Sequence, residues 1–186
     1  MADAEFLLLG DALWLDLVNT AHTPPGGRDT LPDPAAWHRW TKAVRVEPPA
    51  DRGGYAEAVA GRGRLVELAR ALREGRSPPP ATVEAINGRL AALDGREQLV
   101  RIGGSWRLRF QPARTPTALQ AVARSAAETL ANPVAMVRVC ANPECGLVFV
   151  DDSPQQSRRW CSPSRCGHRG RVERRRTPRP PIVAEG

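Results

Sequence analysis

The sequence lacks the features on which several functional classes depend. Its only lysine is Lys42, and its three histidines, His22, His38 and His168, lie far apart in the chain. It contains no glycine-rich phosphate-binding motif and no serine, histidine and aspartate constellation. No apolar run approaches the roughly 20 residues that a membrane-spanning helix needs. We therefore expect neither an enzyme nor an integral membrane protein.

The first residues also lack the basic charge of a secretory signal. Acidic residues stand where a signal peptide has basic ones, and Asp11 and Asp16 interrupt the apolar stretch. These features predict a cytoplasmic protein. The reducing cytosol favours thiolates and metal ligation over structural disulfides.

The chain is basic, and its positive charge is concentrated near the C-terminal end. It has 186 residues, enough for one core and a small satellite, and a net charge of +7. Residues 157–179 hold nine arginines and one acid, whereas residues 1–139 hold eighteen basic and fifteen acidic side chains. This distribution indicates a polyanionic partner, although charge alone does not choose between nucleic acid and a membrane surface.

Periodicity predicts a mostly helical domain with one β-hairpin over residues 1–135. A strand is expected over residues 5–10, followed by a helix on which Leu13, Trp14, Leu17 and Val18 share a face. Further helices are expected from Pro34, over residues 55–73, over residues 81–93, and from a Thr115 cap to Asn132. The arginines of these helices are interpreted as a solvated face.

Two groups of residues in this domain have alternative interpretations. Asn19, Thr20 and His22 are either a ligand site or, as we favour, the capping and turn residues that close the first helix. Trp37 and Trp40 either stack on a base or flat ligand or, as we favour, belong to the core.

A β-hairpin is predicted over residues 98–110, with its turn at Gly103 and Gly104. Apolar residues and arginines alternate on its second strand, namely Trp106, Leu108 and Phe110 against Arg107 and Arg109. A basic two-stranded ribbon can enter a major groove, so this face is a second candidate nucleic-acid surface. The alternative is that the arginines only solubilise the hairpin.

All four cysteines lie in two short pairs. The spacing is Cys140-x4-Cys145, fifteen residues, then Cys161-x4-Cys166, which fits one tetrahedral Zn²⁺. Disulfides and unliganded thiols remain as alternatives. Four thiolates would fill the coordination sphere, which favours a structural zinc over a catalytic one. A ligand set in which His168 replaces one of the cysteines is less favoured.

The segment around the cysteines predicts a small zinc finger. Residues 140–146 form a first knuckle, residues 147–150 and 158–160 a hairpin, and residues 161–166 a second knuckle that enters a helix. Ser162 or Ser164 is positioned to cap that helix. This order describes a treble-clef-like finger, with a zinc ribbon as the alternative.

An arginine cluster follows the second cysteine pair. It consists of Arg165, Arg169, Arg171, Arg174, Arg175 and Arg176. A helix over these residues would be basic over much of its surface. Its arginines could neutralise phosphates and read guanine in a major groove. The alternative is a solvated, disordered tail, and residues 179–186 are predicted to be a disordered, proline-rich end.

The sequence resembles a known bacterial family. The segments CANPECGLVFVDDS, SRRWCS and CGHRGR are similar to the CGNR zinc-finger family of transcription regulators. The resemblance implies that Cys140, Cys145, Cys161 and Cys166 are the zinc ligands, and that Arg169 and Arg171 match the basic positions of the signature. His168 stands where that signature has asparagine.

The resemblance extends to the N-terminal domain. In that family the finger ends a longer ABATE domain, described as a stress-induced regulator. The segments LWLDLVNT and DTLPDPAAWHRW, the hairpin and the alanine-rich helix before Cys140 are similar to it.

These observations give the following expectations. The fold is α+β, with an ABATE-like domain at 1–135, a CGNR-type finger with a basic helix at 136–178, and a tail at 179–186. The function is zinc-dependent DNA binding in transcriptional regulation, with an N-terminal domain that senses an unidentified effector or mediates homodimerisation. RNA binding or protein interaction through the finger is the alternative, and a small-molecule enzyme is the least favoured.

Overall fold

Five α-helices and two antiparallel hairpins form the part of the chain that the structure, a computed structural model, describes: residues 5–24, 26–46 and 53–167. The helices are α1 (Leu13–Asn19), α2 (Pro34–Ala43), α3 (Gly53–Arg73), α4 (Pro80–Ala91) and α5 (Ala118–Ala131). The strands are β1 (Gly95–Ile102), β2 (Ser105–Pro112), β3 (Met136–Val139) and β4 (Val148–Asp151). The predicted α+β class is confirmed.

Side-chain caps fix where two of the helices begin. Asp33 caps α2, because its Oδ1 accepts from the Ala36 amide at 2.7 Å. Thr117 caps α5 and forms a reciprocal capping box with Gln120. The predicted cap at Thr115 was therefore wrong by two residues, because only Thr117 has a glutamine three residues further on.

The main core lies where α1, α3 and α5 meet. Trp14 is fully buried at its centre, and its indole Nε1 donates to Thr129 Oγ1 of α5 at 2.9 Å. Trp37 and Trp40 are also buried, with their rings stacked 5.2 Å apart, so the interpretation of these tryptophans as core residues is confirmed and no base can reach them.

One arginine of the helices does not belong to a solvated face. Arg62 of α3 is buried, and its guanidinium donates to both carboxylate oxygens of Asp29 and to Thr20 Oγ1. These bonds hold the loop after α1 against α3. The hydrogen bonds from Arg62 also lower the pKa of Asp29.

The hairpin of β1 and β2 has the predicted alternation but a different environment. Residues paired across the two strands lie on the same face, and so do residues two positions apart along a strand. The Leu99 and Leu108 pair therefore lies next to the Arg101 and Trp106 pair on one face. Leu99, Trp106 and Leu108 are 64%, 64% and 67% exposed. Their apolar face therefore does not pack against the core, which alternation alone does not reveal.

Two predicted strands near the finger are wrong. Residues 5–10 form no strand, and Leu7 and Leu9 instead pack against the cysteine cluster. Residues 158–160 form no returning strand either, and the strand that pairs with β4 is β3, which precedes the first cysteine. Val137 and Val150 of that pair belong to the main core, so the finger's hairpin is continuous with the helical domain.

Several sequence predictions lie outside the described residues. They are the basic helix from Arg169 to Arg176, including Arg171, Arg174 and Arg175, as well as His168 and the tail at 179–186. Among the helices that are described, none combines the length and the apolarity required to cross a membrane.

Candidate metal centre

The first cysteine pair lies on a tight knuckle between β3 and β4. The Cys140 amide donates to the Leu147 carbonyl at 2.8 Å, and the Cys145 amide donates to the Asn142 carbonyl at 2.9 Å. Gly146 has a φ of +68°, a left-handed conformation that glycine adopts without strain. The backbone thus turns sharply enough to point both thiols to one side.

The second cysteine pair lies on a short helical turn, Pro163–Gly167. The Arg165 amide donates to Ser162 Oγ at 3.2 Å, so Ser162 is the cap of the two serines considered. The Cys166 amide also donates to the Ser162 carbonyl at 2.9 Å. This turn brings Cys166 back towards Cys161.

The structure brings all four predicted ligands together. The Sγ atoms of Cys140, Cys145, Cys161 and Cys166 lie within 4.8 Å of one another, and each cysteine is at most 4% exposed. Cys161 Sγ lies 3.6 Å from Cys145 Sγ and 3.7 Å from Cys166 Sγ. A tetrahedron with Zn–S bonds of ~2.3 Å has edges of about 3.8 Å. These thiols therefore fit one zinc ion, and their separations are far from the ~2.05 Å of a disulfide.

The thiols influence one another's ionisation. The hydrogen bond with Cys161 lowers the pKa of Cys145 to about 5, and the same contact raises that of Cys161. Burial, together with the nearby Cys145, raises the pKa of Cys166 to about 11. Four thiolates this close need a cation to offset their mutual repulsion, which is the electrostatic condition that Zn²⁺ satisfies.

Asn142 supports the cluster from the first knuckle. Its side chain is buried, and Nδ2 lies 3.7 Å from Cys166 Sγ, while Oδ1 accepts from the Glu144 amide at 3.1 Å. An N–H donor to a ligating sulfur offsets excess negative charge and orients the ligand. The sequence showed this residue only as part of the bend between Cys140 and Cys145.

The helical domain holds the finger through the open edge of β4. Asn19 Nδ2 donates to the Val148 carbonyl at 2.9 Å, and the Val148 amide donates to Asn19 Oδ1 at 2.8 Å. Two residues further on, the Val150 amide donates to the Gly10 carbonyl at 2.9 Å. Asp16 Oδ1 in turn accepts from the Gly10 amide at 2.9 Å, and burial raises the pKa of Asp16 to about 6.

Asn19 and Thr20 are thus engaged in hydrogen bonds within the fold. Asn19 pairs with β4, and the Thr20 hydroxyl donates to the Leu17 carbonyl at 2.6 Å while accepting from Arg62. The exposed His22 lies beside the first knuckle. Its Cδ2 is 3.5 Å from the position that a Cβ would occupy if Gly146 carried a side chain. The roles of Asn19 and Thr20 are structural, as favoured from the sequence, but Asn19 acts on a strand 129 residues away and not on its own helix.

Two arginines of the finger are used internally. Arg138 pairs with the buried Asp151 at 2.9 Å. Arg158 pairs with Asp11, donates to the Cys161 carbonyl, and stacks its guanidinium 4.5 Å from the centre of the Phe149 ring. Arg158 was missed as a structural residue because its partners come from three separate segments.

Two other arginines face outward on the same module. Arg159 is exposed, and its guanidinium lies 5.6 Å from the Trp160 ring centre. Arg165, the first of the six arginines predicted to contact DNA, is half-buried on the helical turn. Neither forms a salt bridge with an acidic residue in the described part of the chain.

A cleft lies in the helical domain on the other side of α1. It has a volume of about 360 Å³ and is lined by residues of α1, α3, α4 and α5. Its walls are mostly small and apolar, and include Leu17, Ala58, Gly61, Ile86 and Val122. Small facing side chains leave this space between the helices.

Comparison with known families agrees with this architecture. The model of the ABATE family, described as "putative stress-induced transcription regulator", matches residues 11–133. The model of the CGNR zinc finger matches residues 136–179. No protein of curated function matches the chain.

Proposed function

We propose, on the premise that this chain belongs to the ABATE family and carries a CGNR zinc finger, that it is a DNA-binding transcription regulator. Zinc would hold the finger in shape and take no part in catalysis, because four thiolates leave no open coordination position. We further propose that the protein is not an enzyme. DNA would be contacted by Arg165, Arg169, Arg171, Arg174, Arg175 and Arg176.

One observation carries the proposal: the described arginines of the finger that lack an acidic partner lie next to the second knuckle, and one of them, Arg165, is the first residue of the arginine cluster. Arg138 and Arg158 are paired with Asp151 and Asp11, whereas Arg159 and Arg165 are not paired with an acid. Neutralised arginines contribute little to phosphate binding, and unpaired ones release counterions when they meet phosphates. Positive charge without an acidic partner thus lies at the second knuckle, and the sequence that follows adds further arginines.

The firm attachment of the finger also supports this proposal. Asn19 and Gly10 hold β4, and Arg158 ties the second knuckle to Asp11. A finger fixed in this way presents its basic side in one orientation, which limits the conformational entropy lost on binding. RNA binding and protein interaction would use the same surface, so they are outcomes of the experiment and not separate proposals.

Selection of bound fragments from genomic DNA by the zinc-loaded chain tests the proposed partner. We expect recovery of fragments that share a sequence, and an affinity for them that falls steeply with salt. Retention of RNA in preference to duplex DNA would indicate the RNA-binding alternative. Failure to retain any nucleic acid at low salt would contradict the proposal.

We also propose the cleft beside α1 as the place where the helical domain senses an apolar effector. A volume of about 360 Å³ is within the range of small-molecule sites. Leu17 lines the cleft, and Asn19, two residues further along α1, bonds to β4. A ligand that shifts α1 would therefore act on the finger.

The fluorescent dye 8-anilinonaphthalene-1-sulfonate can probe this cleft without knowledge of the effector. Gly61→Leu places a side chain in it, while Gly88→Leu changes an exposed glycine of α4 that does not line it, and both positions have open space around a new Cβ. We expect saturable dye binding that Gly61→Leu removes and Gly88→Leu leaves intact. Equal binding by the two variants would exclude the cleft.

A further inference from the structure

One face of the β1–β2 hairpin carries an exposed apolar strip with a charged residue near each end. It comprises Glu97, Leu99 and Arg101 of β1, opposite Phe110, Leu108 and Trp106 of β2. Its three outer apolar residues, Leu99, Trp106 and Leu108, are about two-thirds exposed. Burying a large apolar side chain is favourable, so leaving three of them in water on one face is unfavourable unless something covers them.

The same face ends in a groove at the base of the hairpin. The groove has a volume of about 330 Å³ and lies between the hairpin, the end of α4 and α5. Leu90, Leu93, Phe110 and Ala127 give it an apolar floor, and Glu97 and Arg124 lie on its rim. The apolar surface therefore runs from the groove to Trp106 near the turn.

The order of residues along this face is self-complementary. Trp106 and Phe110 lie equally far from Leu108 on either side, and Arg101 and Glu97 lie equally far from Leu99. Suppose that two copies of the hairpin stack face to face, about a two-fold axis that crosses the strands at the Leu99 and Leu108 pair. Each Glu97 then lies over Arg101 of the other copy, and each Trp106 lies over the Phe110 groove of the other copy.

We propose that this chain forms a homodimer through the apolar faces of its β1–β2 hairpins. The contact is isologous, so each charged pair and each tryptophan insertion occurs twice. Stacked sheets lie about 10 Å apart, which leaves room for interdigitated leucine and tryptophan side chains. Opposite charges at the ends of the apolar strip set the register. They also disfavour the parallel arrangement, in which Glu97 and Arg101 would face Phe110 and Trp106 of the other copy and meet no opposite charge.

The opposite face of the hairpin remains free in such a dimer. It carries Arg96, Arg107 and Arg109, which lie on the face that does not hold Trp106. Part of this inference rests on the proposed function: in a DNA-binding protein these arginines would form the second basic surface. The dimer itself does not depend on DNA, so its test is made without nucleic acid.

Sedimentation equilibrium of the full zinc-loaded chain tests the dimer. We expect a dimer at micromolar concentration, and a monomer for the variant with Trp106→Ser and Leu108→Ser. Arg107→Ser together with Arg109→Ser is the matched control, because it changes the same strand on the other face and should remain dimeric. A wild-type chain that is monomeric up to about 100 μM, where even a weak specific contact associates, would overturn the proposal.

Charge exchange tests the register. Glu97→Arg alone and Arg101→Glu alone should each weaken the dimer, because each brings like charges together. The chain with both changes should dimerise again, and an equimolar mixture of the two single variants should form a mixed dimer. Single variants that associate as tightly as wild type, or a mixture that stays monomeric, would overturn the proposed arrangement.

Discussion

The side chain of Asn19 and the backbone of Val148 form two reciprocal hydrogen bonds, of 2.9 and 2.8 Å, that join the helical domain to the zinc finger. Asn19 is only 4% exposed, and it occupies the position on β4 that a neighbouring strand would otherwise take. Together with the Gly10 carbonyl, which accepts from the Val150 amide, this side chain takes the place of a strand at the open edge of a two-stranded sheet.

Replacement of Asn19 should therefore loosen the finger as well as destabilise the fold. Asn19→Ala leaves a partly buried N–H and C=O of Val148 unpaired, at a cost of about 1–3 kcal/mol for each group that water cannot reach. We expect a lower free energy of unfolding in urea and faster zinc transfer to a chelator. Asn87→Ala, at an exposed asparagine of α4, should lower neither the stability nor the retention of zinc. An Asn19→Ala chain with wild-type values of both would contradict this role.

Asn142 should tune zinc affinity without being a ligand. Loss of its N–H donor to Cys166 in Asn142→Ala is expected to weaken zinc binding about tenfold, as is usual for groups that orient metal ligands. Asn142→Asp should weaken it further, because a carboxylate then faces a thiolate while the acceptor for the Glu144 amide is kept. Competition with a chromophoric chelator measures both, and an Asp variant that binds zinc as tightly as wild type would show that the contact is unimportant.

Because of Asp16, the free energy of unfolding should depend on pH at values above those at which carboxylates usually titrate. Burial raises its pKa from 3.8 to about 6, so the folded state binds this proton more tightly than the unfolded state. The contribution of Asp16 to the free energy of unfolding therefore falls as pH rises from about 4 to about 6 and stays low above that. The total change is less than about 3 kcal/mol, because Asp16 is half-buried.

Asp16→Asn should remove this dependence and still accept from the Gly10 amide. The variant is expected to be more stable than wild type at pH 8, with the difference shrinking towards pH 5. Thermal unfolding of both zinc-loaded chains over this range measures the difference, and zinc release at low pH affects both alike. Parallel profiles for the two chains would show that Asp16 has an ordinary pKa.

The tryptophans should differ sharply in their contribution to the monomer. Trp14 is fully buried, so Trp14→Ala is expected to cost about 3–5 kcal/mol. Trp106 is 64% exposed, so Trp106→Ala should cost less than about 1 kcal/mol at protein concentrations where the chain is monomeric. Urea unfolding at low concentration compares them, and a large cost for Trp106→Ala would mean that the hairpin packs against the body.

The elements that follow from local chemistry were predictable from the sequence. Cys140 and Cys145 lie on one tight turn, and the paired spacing alone indicates a shared metal. The heptad-like spacing of Leu13, Trp14 and Leu17 likewise predicts α1 and its buried side. These signals act over a few residues, so a single sequence carries them.

The contacts that depend on tertiary structure were not predictable. Nothing near Asn19 in the sequence indicates Val148. Leu7 and Leu9, which lie in a run that suggested a strand, instead pack against the cysteine cluster. Alternation identified the two faces of the hairpin, but it does not say whether Trp106 meets the core or water. In each case the partner of the residue, and not the residue type, decides its role.

A finger built around zinc should present the arginines that follow it to DNA. The most direct measurement is the salt dependence of DNA affinity for wild type and for the variant with Arg169, Arg171 and Arg174 changed to alanine, with zinc content determined for both. The control variant has alanine at Arg45, Arg73 and Arg114, which are exposed outside the finger. It loses the same three positive charges. We expect about one zinc in every chain and, for the finger variant alone, a weaker affinity with a salt slope smaller by up to about 3. A finger variant that keeps its zinc and binds DNA with the affinity and salt slope of wild type would contradict the claim.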